Sequence, residues 1–331
     1  YDFFVVTSEG VMYKATLVHE SPAEDFKFIP ETRTITSYNG SGGVVVIPSK
    51  IGGIPVEHIG TDAFKSCTGI TNIVIPNSVT TIGDGAFYGC ENLMNITISA
   101  SVNSIGVDVN DGCSVFDGCT RLQSISVDGS NTAYSSVDGV LFNKDKTELI
   151  RCPQGKEGSY TIPGGVTSTW DYAFYECKNL TSITIPDSMN SISYGAFVGC
   201  TDLKSITIGA DVVIGDYLLC YNNNNFRNAY MAAGRGAGTY TAVTYDGEWT
   251  KVVDPAVVNA SALDTLVVAP VKDAIPNTTA IDATQYTGTI AWFESDGTTS
   301  VAGNFAASTV YVAKVTLTAK AGYTLTGVAA N

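Results

Sequence analysis

The sequence predicts a mainly β protein, in which a right-handed solenoid of stacked 23-residue coils is followed by a separate antiparallel β module. The first observation is a Phe that recurs after 23 residues in two separate places, from Phe64 to Phe87 and from Phe174 to Phe197. The second is a low charged fraction of 15% in a chain rich in Gly, which suits strands and turns. The third is the loss of the period from about Val252, where alternating Thr, Val and Ala begin.

Each repeat contains one short strand and a sharp corner. In the copy from Ile70 to Glu91, Ile73 and Ile75 alternate with polar neighbours, as in a half-buried strand, and Pro76 ends the pairing. Ile82 lies on a second inward edge, ahead of the Ala-Phe segment. One coil cannot bury its apolar row alone, so the coils are expected to stack at the strand spacing of about 4.8 Å. The repeat Phe residues are expected to form one buried column: Phe64, Phe87, Phe116, Phe174 and Phe197.

Five of the eight cysteines belong to the repeat, because each follows a repeat Phe by three residues: Cys67, Cys90, Cys119, Cys177 and Cys200. We interpret these as stacked thiols in the core. A bridge between Cys113 and Cys119 stays open, since the two residues close a short loop.

The repeated phrase L-x-x-I-x-I-P-x-x-V-x-x-I-G-x-x-A-F-x-x-C resembles the leucine-rich repeat of BspA-like bacterial surface proteins, over about residues 29–250. Residues 35–61 are similar to the first, capping coil of that family. Residues 226–242 are similar to its exit segment, a short helix with Phe226 on its inner face and Gly234 at its end. We expect an N-terminal cap over residues 1–43 and a leucine-rich-repeat solenoid with its C-terminal cap over 44–250.

Several segments depart from the repeat. Residues 106–115 are inserted ahead of Phe116, and Thr169 and Trp170 replace the usual Ile-Gly. Residues 138–151 predict a β-hairpin that projects from the solenoid. The last coil, residues 214–220, lacks Ala-Phe and is two residues short.

Residues 251–331 predict an immunoglobulin-like sandwich, because strands over 287–294 and 310–320 are separated by Gly, Ser and Asp turns. Trp292 is its expected core aromatic. The segment from Phe305 resembles an accessory module of such surface proteins without its final strand, so we expect this module to be truncated.

The charge balance excludes several partners. Against 32 Asp and Glu stand 18 Lys and Arg, a net charge of −14. Nucleic acids and anionic membrane surfaces both need a positively charged surface on the protein, which this net charge disfavours.

The sequence contains no apolar run of 18 residues, so we expect no membrane insertion. The chain begins at Tyr1, which fits either a removed signal peptide or a start inside a longer protein. We expect an extracellular protein, at the cell surface or secreted.

Catalytic and metal signals are weak. The sequence has no G-x-S-x-G, P-loop or H-E-x-x-H motif, and neither His19 nor His58 has ligand spacing around it. The insertion from Asp108 to Gly112 carries oxygen ligands, but an EF-hand loop needs Gly at its sixth and Glu at its twelfth position, which are Cys113 and Cys119 here. We expect no enzyme, no cofactor and no metal. A glycoside hydrolase is kept as a third function, whose sign would be an exposed carboxylate pair on one coil face.

Two surfaces are candidates for binding. The first is an aromatic patch expected to share one exposed side of two coils: Trp170, Tyr172, Tyr175 and Tyr194. The alternative for these rings is that they cover a corner while half-buried. The second surface is an outward ladder on the strands: Asn72, Asn95, Thr97, Ser124, Ser182, Thr184, Ser205 and Thr207.

The resemblance implies surface attachment and adhesion, with the solenoid as a scaffold for binding proteins. Its partners would be a host matrix glycoprotein or another cell-surface protein. The alternative is a glycan-binding module that uses the aromatic patch.

Overall fold

The computed structural model describes residues 2–6, 12–16, 19–106, 115–219, 224–252, 256–257, 281–282, 286–301, 303–306, 309–320 and 323–324. The chain divides into two compact units, Tyr1–Val252 and Val253–Asn331.

The first unit is built almost entirely of short strands. In chain order its elements are β1 (Asp2–Val6), β2 (Met12–Thr16), a 3-10 turn (Ala23–Asp25), β3 (Phe26–Ile29), β4 (Thr34–Tyr38), β5 (Gly43–Val46), β6 (Lys50–Ile51), β7 (Ile54–Pro55), β8 (His58–Ile59), β9 (Ile70–Val74), β10 (Thr81–Ile82), β11 (Asn95–Ile98), β12 (Ser104–Ile105), β13 (Ser124–Val127), β14 (Tyr134–Val137), β15 (Val140–Asn143), β16 (Glu148–Arg151), β17 (Gly158–Thr161), β18 (Ser168–Thr169), β19 (Leu180–Thr184), β20 (Ser191–Ile192), β21 (Ser205–Ile208), β22 (Val213–Ile214), α1 (Asn225–Ala232), β23 (Gly238–Thr241) and β24 (Thr250–Lys251).

The repeats form a β-solenoid, as predicted. Each regular coil contributes a strand of four or five residues to one side and a strand of two residues to another. Neighbouring coils pair in parallel and in register, so Ile96 lies between Ile73 and Ile125 on adjacent strands. The same register aligns Ile183 with Ile206. Since the register repeats the sequence period, each apolar position of the repeat stacks on its own copy.

The repeat Phe residues form two buried columns, and the prediction of one continuous column is wrong. Ring centroids are 5.3 Å apart for Phe64 and Phe87 and 5.9 Å apart for Phe87 and Phe116. A second stack joins Phe174 to Phe197 at 4.9 Å. Phe116 belongs to one core cluster and Phe174 to another.

The hairpin of residues 138–151 separates the two columns. Strands β15 and β16 pair antiparallel, as predicted, but the hairpin does not project from the solenoid, because β16 also pairs in parallel with β18. Its side chains are buried on both faces. Leu141 and Ile150 pack in the first core cluster, while Val140, Phe142 and Leu149 pack in the second. The hairpin is therefore a layer within the stack.

The described cysteines are free thiols. The Sγ atoms of Cys90, Cys119 and Cys200 each donate to the backbone oxygen of the Phe in the preceding coil, at 3.0, 3.1 and 3.0 Å. Burial raises the pKa of Cys90 to about 12. Cys113, the expected bridge partner of Cys119, lies outside the described residues.

The exit segment is helical, as predicted. Helix α1 buries Phe226, and Gly234, with a φ of +67°, ends it. Tyr230, one turn after Phe226, is also fully buried. Its hydroxyl donates to the backbone oxygen of Gly209 at 2.8 Å and accepts from the backbone N–H of Val212 at 3.0 Å.

The second unit contains β25 (Ala256–Val257), β26 (Ile281–Asp282), β27 (Tyr286–Glu294), β28 (Tyr311–Ala319) and β29 (Tyr323–Thr324). The antiparallel pair β27 and β28 matches the two strands predicted there, and β26 extends it. Strands β25 and β29 pair in parallel. Trp292 is buried against Phe305, with ring centroids 5.0 Å apart. The immunoglobulin-like sandwich stays a prediction.

Candidate functional site

Wherever the structure describes it, the corner between the two-residue strand of a coil and the segment that holds its inward Phe or Leu has a left-handed backbone. The residue two positions before the repeat Phe has a φ of 58° at Asp62, 56° at Gly85 and 58° at Gly195. Tyrosines hold the same conformation in two coils, Tyr172 at 56° and Tyr217 at 53°. In the last coil Leu219 takes the place of the repeat Phe. Phe174 N donates to the backbone oxygen of Ala196, the residue before Phe197, and Phe197 N donates in the same way to the backbone oxygen of Leu218, the residue before Leu219. A left-handed backbone costs a residue with a Cβ about 1–2 kcal/mol, whereas glycine adopts it without that steric cost.

These two tyrosines and two others form a continuous row of rings, which we call the tyrosine stripe: Tyr172, Tyr175, Tyr194 and Tyr217. The ring of Tyr172 lies 5.6 Å from that of Tyr175 and 5.5 Å from that of Tyr194. Tyr194 lies 5.5 Å from Tyr217. All three contacts are edge-to-face, with interplanar angles of 81°, 79° and 69°. The stripe therefore crosses three neighbouring coils.

The side chains of the stripe are partly exposed to solvent. Tyr172, Tyr175 and Tyr194 are half-buried, and Tyr217 is 38% exposed. The ring of Tyr172 covers Gly195, where an added Cβ would lie 2.5 Å from Tyr172 Cε1. The Tyr172 ring can therefore lie over this corner only because Gly195 has no side chain.

Trp170 differs from the three predicted tyrosines in its surroundings. It is half-buried and packs against the first core cluster. Its Nε1 donates to Glu148 Oε2 at 3.4 Å, and the ring borders a cavity of about 30 Å³ beside Arg151 and Asp171. The hairpin that separates the two cores supplies Glu148, so the sequence offsets alone do not reveal this environment.

A buried ion pair lies next to the backbone of the stripe. Arg151 pairs with Asp117, and both side chains are buried. The second guanidinium arm, Nη1, donates to the backbone oxygen of Tyr172 at 2.8 Å. Gln154 Nε2 donates to the backbone oxygen of Tyr175 at 3.3 Å. Among the described residues, Arg151 Nε and Gln154 Oε1 are buried without a hydrogen-bond partner.

These two side chains replace main-chain groups that the regular coils provide. Where two regular coils stack, a backbone N–H bonds to the residue after the repeat Phe of the next coil, as in Ser66 N to Tyr88 O at 2.7 Å. Leu149 and Ser159 are ten residues apart, whereas their strand partners Thr169 and Ser182 in the next coil are thirteen apart. In this shorter segment the Gln154 side chain supplies that donor instead. The backbone of Tyr172 and Tyr175 is thus fixed by buried side chains.

The polar ladder expected as one continuous strand face is divided between two sheets. Strands β5, β9, β11 and β13 form the first sheet, and β17, β19, β21, β23 and β24 form the second. The first carries Asn72, Asn95, Thr97 and Ser124, and the second carries Ser182, Thr184, Ser205 and Thr207. The turn before β15 lies beside β13, since Ile125 N donates to Gly139 O at 2.9 Å.

Neighbouring ladder side chains also bond to one another. Asn95 Nδ2 donates to Asn72 Oδ1 at 3.4 Å, and Ser182 Oγ donates to Ser159 Oγ at 2.7 Å. The hydroxyls of Thr207 and Thr239 lie 2.9 Å apart. These bonds occupy part of the ladder's hydrogen-bonding capacity.

Metal and catalytic candidates are sparse in the described part of the chain. It contains no group of three or more His, Cys, Asp or Glu side chains arranged to hold a metal. The calcium candidates of residues 108–112 lie outside the described residues. Asp171, at one of the corners, accepts from the backbone N–H of Tyr194 at 3.1 Å. None of the described helices has the length and apolar composition of a membrane span.

The repeat matches solved bacterial proteins. The pneumococcal vaccine antigen PcpA is 27% identical, with a TM-score of 0.44, over 51% of this chain and 40% of its own. The chain thus spans less than half of that antigen. The T. pallidum leucine rich repeat protein TpLRR is 23% identical, with a TM-score of 0.40, over 66% of this chain and 100% of its own. A leucine-rich repeat protein from Eubacterium ventriosum ATCC 27560 is 25% identical, with a TM-score of 0.36, over 66% and 67%.

A comparison with curated proteins gave no match. The family model for the BspA type leucine rich repeat region matches six copies, over residues 46–155 and 154–232. These copies cover more than half of the 331 residues. The chain therefore belongs to the BspA type leucine rich repeat family.

Proposed function

We propose that this protein is an extracellular bacterial surface protein that binds other proteins and serves in adhesion, without catalysis. The solenoid is the scaffold, and the tyrosine stripe with Trp170 is the main contact surface. The expected partner is a host matrix glycoprotein or another cell-surface protein. Membership of a family of bacterial repeat scaffolds supports the general role.

The observation that carries the choice of surface is the left-handed backbone of Tyr172 and Tyr217. Glycine meets the same requirement at Gly85 and Gly195 without the cost of about 1–2 kcal/mol. These two rings lie outside the buried core of the solenoid. Backbone strain at a surface position is typical of functional sites, where the side chain matters more than the stability it costs.

Tyrosine also suits recognition chemically. It presents a large, stiff, partly apolar surface with a polar tip, and it is enriched among residues that dominate binding energy. Arg151 and Gln154 fix the backbone that carries the rings of Tyr172 and Tyr175 before binding, which lowers the entropy cost of association.

The test is a binding array of matrix glycoproteins, cell-surface proteins and glycans, probed with the full chain. The variant that replaces Trp170, Tyr172, Tyr175 and Tyr194 by Ser should remain folded and lose the ligand that the wild type binds. Tyr88→Ser is the matched control, because Tyr88 has the same offset from its Phe as Tyr175 but lies outside the stripe.

Three results would contradict parts of this proposal. Unchanged binding by the folded fourfold variant would transfer the contact to the strand ladder. A stripe-dependent ligand found only among the glycans would favour the glycan-binding alternative. Unfolding of the variant would assign the four rings to the core.

A further inference from the structure

We infer that the tyrosine stripe binds a proline-rich peptide segment in the polyproline II conformation, with a basic residue beside the prolines. This inference rests on the proposed function of the stripe as the contact surface, and it names the chemistry of the ligand.

The first support is the spacing of the rings. Tyr172 and Tyr217 have equivalent positions two coils apart, and the coils between them are joined by the parallel pairs of β18 with β20 and β20 with β22. Two inter-strand steps separate equivalent atoms by about 9.6 Å. A polyproline II helix repeats every three residues, or about 9.3 Å. A peptide that runs along the solenoid axis therefore meets Tyr172 and Tyr217 with equivalent residues.

The second support is the orientation of the rings. Tyr194 lies between Tyr172 and Tyr217 and is steeply inclined to both, at 79° and 69°. Such a row presents ridges with grooves between them. Proline-rich segments dock their rings into aromatic-lined grooves of this kind. A pyranose ring instead stacks on a flat aromatic face, and each of the three edge-to-face contacts here covers part of one ring's face, which favours the peptide over a glycan.

The third support is the charge along the stripe. Exposed carboxylates immediately precede the two strained tyrosines, Asp171 before Tyr172 and Asp216 before Tyr217. The side chain of Asp216 is 64% exposed although it pairs with Arg227. The whole chain carries a net charge of −14. A basic residue at either end of the proline segment therefore finds a carboxylate beside the ring that it passes.

A preformed ligand also fits this surface. A polyproline II segment loses little conformational entropy on binding, and the backbone of Tyr172 and Tyr175 is already fixed by Arg151 and Gln154. Because the spacing of Tyr172 and Tyr217 matches one turn of polyproline II, a stiff peptide of this conformation can contact both rings without changing its shape.

The test is fluorescence anisotropy with the full chain and a fluorescein-labelled peptide of nine prolines flanked by arginines. A Gly/Ser peptide of the same length and charge is the ligand control. We expect the proline peptide to bind at least about tenfold more tightly than the control peptide. Tyr194→Ser should weaken the proline peptide about tenfold, whereas Tyr88→Ser should leave its Kd within about twofold.

Two further variants separate folding from binding. Tyr217→Gly removes a ring while keeping a residue suited to the left-handed backbone, so it should fold and still weaken binding about threefold or more. Asp216→Asn should weaken binding and reduce its salt dependence, because a carboxylate no longer meets the peptide's arginine.

Equal affinity for the two peptides would overturn the inference, as would unchanged binding in both Tyr194→Ser and Tyr217→Gly. Displacement of the array ligand by a linear hexasaccharide, and not by the proline peptide, would also overturn it in favour of a glycan. In the two peptide cases the proposed function survives if the fourfold Ser variant loses its array ligand, whereas displacement by the hexasaccharide favours the glycan-binding alternative. The proposed function fails if that variant keeps the ligand.

Discussion

Gly195 offers a quantitative test of the packing beneath the stripe, through the change Gly195→Ala. Gly195 has a φ of 58°, and an added Cβ would lie 2.5 Å from Tyr172 Cε1. The left-handed backbone alone costs alanine about 1–2 kcal/mol. The displaced Tyr172 ring would also lose its edge-to-face contacts with Tyr175 and Tyr194, at about 0.5–1.5 kcal/mol each. We expect a total loss of about 2–5 kcal/mol in the free energy of unfolding.

Gly52→Ala is the matched control. Gly52 also has a φ of 58°, but an added Cβ there meets no atom within 4 Å. It should cost only the backbone term of about 1–2 kcal/mol. Urea unfolding followed by circular dichroism gives both values, and their difference isolates the displaced ring. Equal losses in the two variants would refute the placement of the Tyr172 ring over Gly195.

Four other predictions follow from the same structure. Phe197→Ala should cost about 3–5 kcal/mol in urea unfolding, and a loss below about 1 kcal/mol would contradict the second Phe column. Asp117→Ala should cost about 3–5 kcal/mol, because it leaves the Arg151 guanidinium buried without its charge partner, and a neutral effect would refute that burial. Burial raises the pKa of Cys90 from 9.0 to about 12, so its stabilising contribution is complete below pH 9 and is lost as the pH rises toward 12. The decline of the urea midpoint above pH 9 should therefore be shallower in Cys90→Ala than in the wild type, and identical slopes would contradict this. Treatment with EDTA should leave Tm unchanged, whereas a drop reversed by calcium would indicate a site in residues 108–117.

The repeat made most of the first unit predictable, because its core is local and periodic. Each coil buries the same positions against its neighbours, so one copy such as 70–91 predicts the strand, the corner and the inward Phe of the others. The exit helix was also predictable, from Phe226 and the terminating Gly234.

The hairpin layer was harder to predict, because its position depends on contacts between distant residues. Val140, Leu141 and Phe142 are three consecutive apolar residues, and such a run marks a strand buried on both faces. The apolar run therefore favours a buried layer, whereas the position of the hairpin between regular coils favours a projection. The same layer divides the Phe column and the strand ladder.

The candidate site was predictable in part. Offsets from the repeat Phe brought Tyr172, Tyr175 and Tyr194 to one side of the solenoid, and their rings are in contact. Tyr217 was missed because the last coil is short and lacks the Phe from which offsets are counted. Trp170 was grouped with the tyrosines, because its contact with the first core depends on the neighbouring hairpin.

The most direct test of the stripe as the contact surface is ¹⁹F NMR of the full chain labelled with 3-fluorotyrosine. The chain has 17 tyrosines, so the four stripe residues report against an internal background of other tyrosines. Single Tyr→Phe variants assign the resonances of the four stripe residues and of Tyr88. On addition of the ligand that the array identifies, we predict shifts concentrated in these four resonances, with that of Tyr88 unchanged. Shifts confined to tyrosines outside the stripe would contradict the account.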